Sequence, residues 1–555
     1  MRTLIILLMM TLSIQARSNA NPTSTAKLAL TCKVWGFLKY YHPKVARGYM
    51  DWDQVLIRSI AFTNSAKSFE ELNSFYAGGL ISLGKIDRCT TCAEIDTRWF
   101  DKNFNLDWTD DQERFAKPIV DALNIIEQNR NQNENYYALR GAAGNIDLSN
   151  EQKHDSTMVF PTEEYRLLVL FRYWNAVEYF FPYKYQMDQN WDSVLFEMIP
   201  KFRKADNNID YHLALMELTA KLNDSHAFYA SQYTFDEFGN FFVPVKTVMV
   251  NDQLIVSGFY DDSLGNLSGL KPGDEILKID GVKIDSLINT RYKYIAASNR
   301  AVQNRIIPSN ILNGHDSTAI VTLDRNGKIL QQEIYRYRPK LINWQRESNS
   351  KHWQILNDSI GYVDMGILEN KEVDTMMMKL MNCRAIIFDI RNYPKGTLYN
   401  ISKYLHNDRA EFVKFTEPDY SYPGRFRWAG AGQCGESFTR QPVPVFDGKV
   451  ILLVNESTQS HAEFTAMCLQ TYQNCTTIGS QTSGADGNVS WVPFLGVYGS
   501  YFSGIGIYYP DSSETQRVGV KVDIEVKPTI QGIRDGRDEV LEFAIDFIKK
   551  DVEQK

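Results

Sequence analysis

The chain has 555 residues, 44% of them apolar, with 10 Trp, 30 Tyr and 30 Phe, which is enough to fill several cores and excludes a disordered or low-complexity protein. Its formal charge is −7 and it carries no long basic run, so nothing in it points to nucleic acid. A chain of this length is expected to divide into about two to four domains.

Residues 1–20 stand apart. Arg2 is followed by an apolar run from Leu4 to Ile14 and then by small residues at Ala16 and at Ser18-Asn19-Ala20, the pattern of a secretory signal peptide. The run is short for a membrane span. The first cysteine, Cys32, is too distant for a lipoprotein anchor. Cleavage after Ala16 or Ala20 predicts an exported chain, periplasmic or extracellular, and removal of all twenty residues takes the charge to −9. Seven cysteines follow: Cys32, Cys89, Cys92, Cys383, Cys434, Cys468 and Cys475. In an oxidising compartment Cys89-Thr-Thr-Cys92 reads as a local disulfide, since no second Cys or His pair lies at metal-ligand spacing. Cys383 and Cys468 sit in apolar runs and read as buried thiols.

Residues 24–157 and 158–235 contain an internal repeat at an offset of 139. Trp35, Tyr40, Pro43, Trp52, Asp53, Val55 and Leu56 recur as Trp174, Tyr179, Pro182, Trp191, Asp192, Val194 and Leu195. Each copy predicts an aromatic-rich helix (33–41 and 165–181), a break at Pro, and a second helix beginning near Trp-Asp. Aromatic stripes at helical spacing are core before they are a ligand box. The stretch 128–157, rich in Asn, Gln and charge, predicts an exposed connector. The second copy ends at Leu222-Asn-Asp-Ser-His-Ala-Phe-Tyr229, where His226 falls on a turn between apolar segments.

Across 238–340 the pattern changes to short strands. Ser268-Gly-Leu-Lys-Pro-Gly-Asp-Glu-Ile-Leu-Lys-Ile-Asp-Gly281 is a Pro-Gly-Asp turn, an alternating strand and an Asp-Gly turn. It resembles a PDZ domain, a module that grips extended peptides by strand addition. A helix over 291–305 and a strand pair over 318–323 and 329–334 complete that expectation. Over 341–555 strands (362–365, 385–390, 450–454, 476–478) alternate with helices (372–381, 398–406, 460–473, and 538–550 at the end), which predicts an α/β layer.

The chemistry centres on Val450-Ile-Leu-Leu-Val-Asn-Glu-Ser-Thr-Gln-Ser-His-Ala-Glu-Phe-Thr-Ala-Met467, a buried strand, a polar turn and a helix. Ser460 stands at the helix start, where free N–H groups and the positive end of the dipole favour an anion. Such a serine is either an ordinary N-cap, with Glu463 completing a capping box, or an acyl-transfer nucleophile.

Four motifs in order decide between these: Asn223-Asp-Ser-His226, the PDZ-like module, Phe388-Asp-Ile-Arg-Asn392, and Ser460-His-Ala-Glu463. Together they resemble the S41 family of serine peptidases, which includes the carboxyl-terminal processing proteases and the tricorn core protease, over roughly residue 221 to the end. The resemblance implies an α/β multidomain enzyme: a ClpP/crotonase-like catalytic domain with an inserted PDZ domain and a mainly helical N-terminal region. It also implies Ser460 as nucleophile, a peptide or protein substrate, and no metal or other cofactor. Processing proteases supply a lysine base from a Gly-Lys-Gly turn; this chain has Gly484-Ala-Asp-Gly487 instead. The tricorn-like branch takes a histidine from an upstream Ser-His pair, which Ser225-His226 matches. His226 is therefore the expected base, with His461 its rival. Adjacent side chains on a helix diverge, so His461 is expected to give its backbone N–H to the oxyanion hole. The second donor is expected from the loop Tyr393-Pro-Lys-Gly396, which has fewer glycines than the family pattern; Pro394 has no N–H, which leaves Gly396. The residue that orients the base is Glu514 by chemistry or Gln516 by spacing, and Glu463 is expected to brace the helix. The alternative function is a protein on the same scaffold that holds peptides or apolar ligands without cutting them. A structural assembly module would account for Trp35 and Trp174 but not for the four motifs.

Overall fold

The computed structural model describes residues 22–92, 97–151, 154, 158–344, 351–356, 359–435 and 443–553. The expected signal segment, residues 1–20, lies outside the described residues. Among those described, no helix is long and apolar enough to cross a membrane.

The repeat is a packed pair of helical hairpins. Helix α1 (Ser24–Tyr41) is capped by the Thr23 hydroxyl and α2 (Trp52–Ser65) by the Asp51 carboxylate. Helix α3 (Glu163–Phe180) leads to α4 (Trp191–Lys204), capped by the Asn190 side chain. Helix α1 begins earlier than the aromatic stripe predicts, because Lys27 to Leu30 continue its buried face. Within the first hairpin Trp35 Nε1 donates to Trp52 O at 2.9 Å and Trp52 Nε1 donates to Trp35 O at 3.1 Å. Trp174 and Trp191 repeat the exchange at 2.9 and 3.0 Å.

The two hairpins then pack on each other as the halves of a twofold dimer do. Lys33 meets Asp192 at 2.7 Å, and the equivalent positions, Arg172 and Asp53, form the matching pair. Tyr40 touches its own equivalent, Tyr179, edge to face at 5.3 Å between ring centres. Gly36 faces its equivalent, Asn175, so closely that a Cβ on Gly36 would sit 1.7 Å from Asn175 Oδ1.

Of the stretch 128–157, residues 128–151 and 154 are described, and they are only partly the exposed connector that their composition predicts. Arg130, Asn131, Tyr137, Ile146, Leu148 and Glu151 are buried. Its polar side chains satisfy internal backbone: Asn135 Nδ2 donates to Tyr40 O at 3.1 Å, and Arg130 Nε donates to Ser421 O at 2.8 Å. Glu151 lies beneath Lys39 and Arg172. Cys89 and Cys92 are bridged, and Cys383 and Cys468 are buried thiols.

Helix α5 (Asn208–Ala220) delivers the chain to the turn that carries His226. Beyond it, β1 (Val245–Val250), β2 (Gln253–Phe259), β3 (Glu275–Ile279), β4 (Thr318–Arg325) and β5 (Lys328–Tyr335) form an antiparallel sheet in that order. It closes on its own core of Val256, Leu270, Ile276, Val321 and Ile334. Gly273 of the Pro-Gly-Asp turn is at φ 85°, and Asp274 closes the turn by accepting from Lys271 N at 2.8 Å. The single helix expected over 291–305 is two, α6 (Ile284–Arg291) and α7 (Arg300–Ile306). Asn299 divides them by capping α7, accepting from Val302 N at 3.1 Å.

The last unit is a mixed sheet of β6 (Trp353–Leu356), β7 (Ile360–Asp364), β8 (Ala385–Asp389), β11 (Lys449–Val454), β12 (Cys475–Gly479) and β16 (Ile524–Glu525), with only β6 antiparallel to its neighbour. Parallel strands covered on both faces must be apolar throughout, which is why Val450 to Val454 shows no alternation. Phe388, Leu452 and Val454 face helices α8 (Val373–Leu380) and α9 (His461–Leu469). Ile387, Ile451 and Leu453 face α10 (Glu539–Glu553) through Val540, Ala544 and Ile548. The hairpin β9 (Ala410–Pro418) and β10 (Phe426–Cys434) pairs with β15 (Gly506–Tyr508), and β13 (Val489–Pro493) pairs with β14 (Gly499–Ser503). The helix expected over 398–406 is one short turn of helix, Leu398–Ser402, and α9 stops at Leu469.

Candidate active site

Strand β11 ends at Val454, and the turn that follows is pinned to β8 by Thr458, whose hydroxyl donates to Ile390 O at 2.8 Å. This turn holds Ser460 at φ 57° and ψ −124°, a conformation that costs a non-glycine residue about 1–3 kcal/mol. Glu463 keeps it there. Its fully buried carboxylate accepts from Thr482 Oγ1 at 2.6 Å, Gly484 N at 2.7 Å, Ala485 N at 3.0 Å and Ser460 N at 3.3 Å. Burial pushes the Glu463 carboxyl up, and these four donors pull it back. Ser460 N also donates to Ala485 O at 2.9 Å. The turn where the processing proteases keep a lysine is thus the wall against which this serine is braced.

Ser460 opens onto a cavity of about 480 Å³ lined by His461, Phe464, Tyr393, Phe415 and Asp486. The His461 ring lies between Tyr393 and Phe464, with Nε2 buried, without a hydrogen-bond partner, and 3.9 Å from the Cβ position of Gly396. Burial lowers its pKa. Gly396 has φ 72°. Neither His461 N nor Gly396 N donates to any described residue, and His461 N directly follows Ser460. Asp486 is buried, and desolvation beside Glu463 pushes its carboxyl well up.

His226 lies just past the end of the helical repeat and contacts the last residue of β14. Its Nδ1 is 2.9 Å from Ser503 Oγ and 3.6 Å from Asp224 Oδ1. Ser503 closes β14, and the next amide, Gly504 N, bonds Asn488 O two residues beyond Asp486. Burial lowers the His226 pKa and the Asp224 charge raises it, with a net result below the ordinary 6.5. Ser225 is turned away: its Oγ is 3.1 Å from Ser298 Oγ and accepts from Ser298 N at 2.9 Å.

The two candidates for the orienting residue part company here. Glu514 accepts from Lys102 Nζ at 2.8 Å, Tyr185 Oη at 2.9 Å and Gln186 Nε2 at 2.9 Å, and does not reach His226. Gln516 is buried, and its Nε2 lies 3.5 Å from Asp224 Oδ1. Asp224, which sequence reasoning passed over, is the carboxylate beside the histidine. It is fully buried and accepts from Ser503 N at 2.7 Å and His226 N at 3.1 Å. Its position two residues before His226 was the available signal; for Ser503 there was none.

Residues 359–526 match the model of peptidase family S41. Among solved structures, mature CPAF complexed with lactacystin superposes with a TM-score of 0.55 at 14% identity, over 70% of this chain and 99% of that one. That likeness is one of fold. The photosystem II D1 C-terminal processing protease gives 0.38 at 15% identity, over 68% of this chain and 98% of that one. The tricorn protease gives 0.35 at 16%, over 70% of this chain and 37% of that one. No curated protein matches the sequence.

Proposed function

We propose that this chain, whose residues 359–526 match the model of peptidase family S41, is a serine peptidase that works through an acyl-enzyme on Ser460. A hydroxyl is a weak nucleophile and needs a base. His226 is that base: burial keeps its ring neutral, and a bonded Nδ1 leaves Nε2 to take the Ser460 proton. Ser460 Oγ attacks the peptide carbonyl, and the developing oxyanion is received by His461 N and Gly396 N. The proton passes from His226 to the leaving amine, and water then releases the acyl group by the same steps in reverse order.

The observation that carries this reading is the strained backbone of Ser460, braced by Glu463, with the amide of His461 after it free of any acceptor among the described residues. A serine that only caps a helix needs none of that strain. The small antiparallel unit within 238–340 is read as a peptide-binding PDZ domain, and residues 1–20 as a signal that exports the chain.

Replacement of Ser460 by Ala is expected to lower peptide cleavage by at least about 10³-fold with the circular dichroism spectrum unchanged. Unchanged cleavage removes Ser460 from the mechanism. Full activity in His226→Ala together with its loss in His461→Ala would transfer the base to His461. A fluorophosphonate probe that fails to label Ser460 in the folded protein would favour a binding protein that does not cut.

A further inference from the structure

We propose that Ser503 is a positioning residue whose hydroxyl relays the Asp224 carboxylate to the His226 ring. The inference rests on His226 serving as base to Ser460. Asp224 Oδ1 is 3.6 Å from Nδ1, beyond hydrogen-bonding distance, whereas Ser503 Oγ is 2.9 Å from Nδ1 and 3.1 Å from Asp224 Oδ1. The hydroxyl therefore stands between the two groups, and proton counting fixes its direction. An ionised carboxylate can only accept, and a serine has one proton to give. That proton goes to Asp224, and the oxygen's lone pairs then accept from Nδ1–H. The reverse orientation, with Ser503 donating to Nδ1, turns a lone pair toward the carboxylate at 3.1 Å. The favoured arrangement sets a single tautomer, with the proton on Nδ1 and the lone pair on Nε2, as a base requires.

The surroundings hold the relay still. Ser503 is fully buried, and its own N–H donates to Asp224 Oδ2 at 2.7 Å, so one residue grips both carboxylate oxygens. Gln516 Nε2, at 3.5 Å, faces the same Oδ1. An amide there cannot neutralise an imidazolium; it adds a further donor toward the oxygen that Ser503 holds. Ser225, the serine that the Ser-His pair would nominate, is committed to Ser298. In the reaction the Ser460 proton moves to His226 Nε2 and on to the leaving amine, while the Ser503 proton stays on its bond to Asp224, which stabilises the transient imidazolium through one hydroxyl.

The experiment compares the wild type with Ser503→Ala, Ser503→Thr and Asp224→Asn, reading kcat and KM on one peptide and thermal unfolding for each. Ser503→Ala is expected to lower kcat about 10- to 100-fold with KM within about twofold, Asp224→Asn to lower it at least as much, and Ser503→Thr to restore most of the activity. A wild-type kcat in Ser503→Ala overturns the relay, and so does an equal loss in Ala and Thr accompanied by a raised KM. If Ser503→Ala does not fold, Ser503→Cys takes its place, since a thiol is a poor donor; kcat is again expected to fall, and a wild-type kcat overturns the proposal. His226→Ala separates the two levels. If it is fully active, the choice of base has failed; if it is inactive while Ser503→Ala is not, only the relay has.

Discussion

The His226 side chain is 10% exposed, and two opposing influences act on its ring. Loss of water disfavours the imidazolium, the Asp224 charge favours it, and the first is larger. The ring therefore stays neutral to a pH lower than a free histidine does. In the proposed mechanism the acidic limb of kcat/KM falls below pH 6.5, with activity lost as the pH drops through the depressed value. A pH–rate profile checks this, and a limb above 6.5 would contradict it. At this scale the sequence was legible where partners are near neighbours. Ser460 with Glu463 can be read from spacing, whereas Ser225, adjacent to His226, bonds Ser298 instead. The choice between Glu514 and Gln516 could not, because it depends on how the segment after β15 turns: an isolated bridge pairs Tyr508 with Glu514, and Glu514 goes to Lys102 and Tyr185 while Gln516 goes inward. Ser503 lies in Tyr501-Phe-Ser-Gly504, which carries no mark of chemistry at all.

Among the elements, the helical repeat shows how much a regular pattern reveals. The offset of 139 residues and the Trp-Asp helix starts were visible, and the reciprocal indole bonds follow from them. The twofold packing of one copy on the other was not visible, since the contact pairs Lys33 with Asp192 and Arg172 with Asp53 across the copies. The same limit misread 128–157, where polar side chains bond buried backbone instead of water. The repeat's crossing point is testable. Gly36→Ala drives a methyl group into Asn175 and is expected to destabilise the protein by about 1–3 kcal/mol in urea unfolding. In an Asn175→Ala background the same change is expected to cost much less, because the obstructing amide has gone; equal costs in both backgrounds would show that the two sites do not couple.

Across the whole molecule the site is tied together by residues from every unit. Asn299, between the two helices of the small antiparallel unit, donates to Thr482 O at 2.9 Å and to Ser483 O and Arg517 O at 3.1 Å. Arg305 on α7 holds Glu456 O and Gln459 Oε1 at 2.8 Å, immediately before Ser460. His226 follows the last helix of the helical region, and Ser460 lies in the α/β unit. An α/β mixed architecture with a helical front was readable from periodicity. The interlocking was not, because each tie joins positions far apart in the sequence.

The bond between His226 and Ser503 spans 277 residues, and that separation has a kinetic consequence. Contacts of long sequence separation close late, after local helices and hairpins have formed. Secondary structure should therefore return before catalysis when the denatured chain is diluted into buffer. Far-ultraviolet circular dichroism and peptide cleavage, followed in parallel, are expected to recover in that order, with a lag in activity; simultaneous recovery would show that the halves of the site meet early. A chain with such a lag is folded in its secondary structure before it can cleave, if the proposed site depends on that contact.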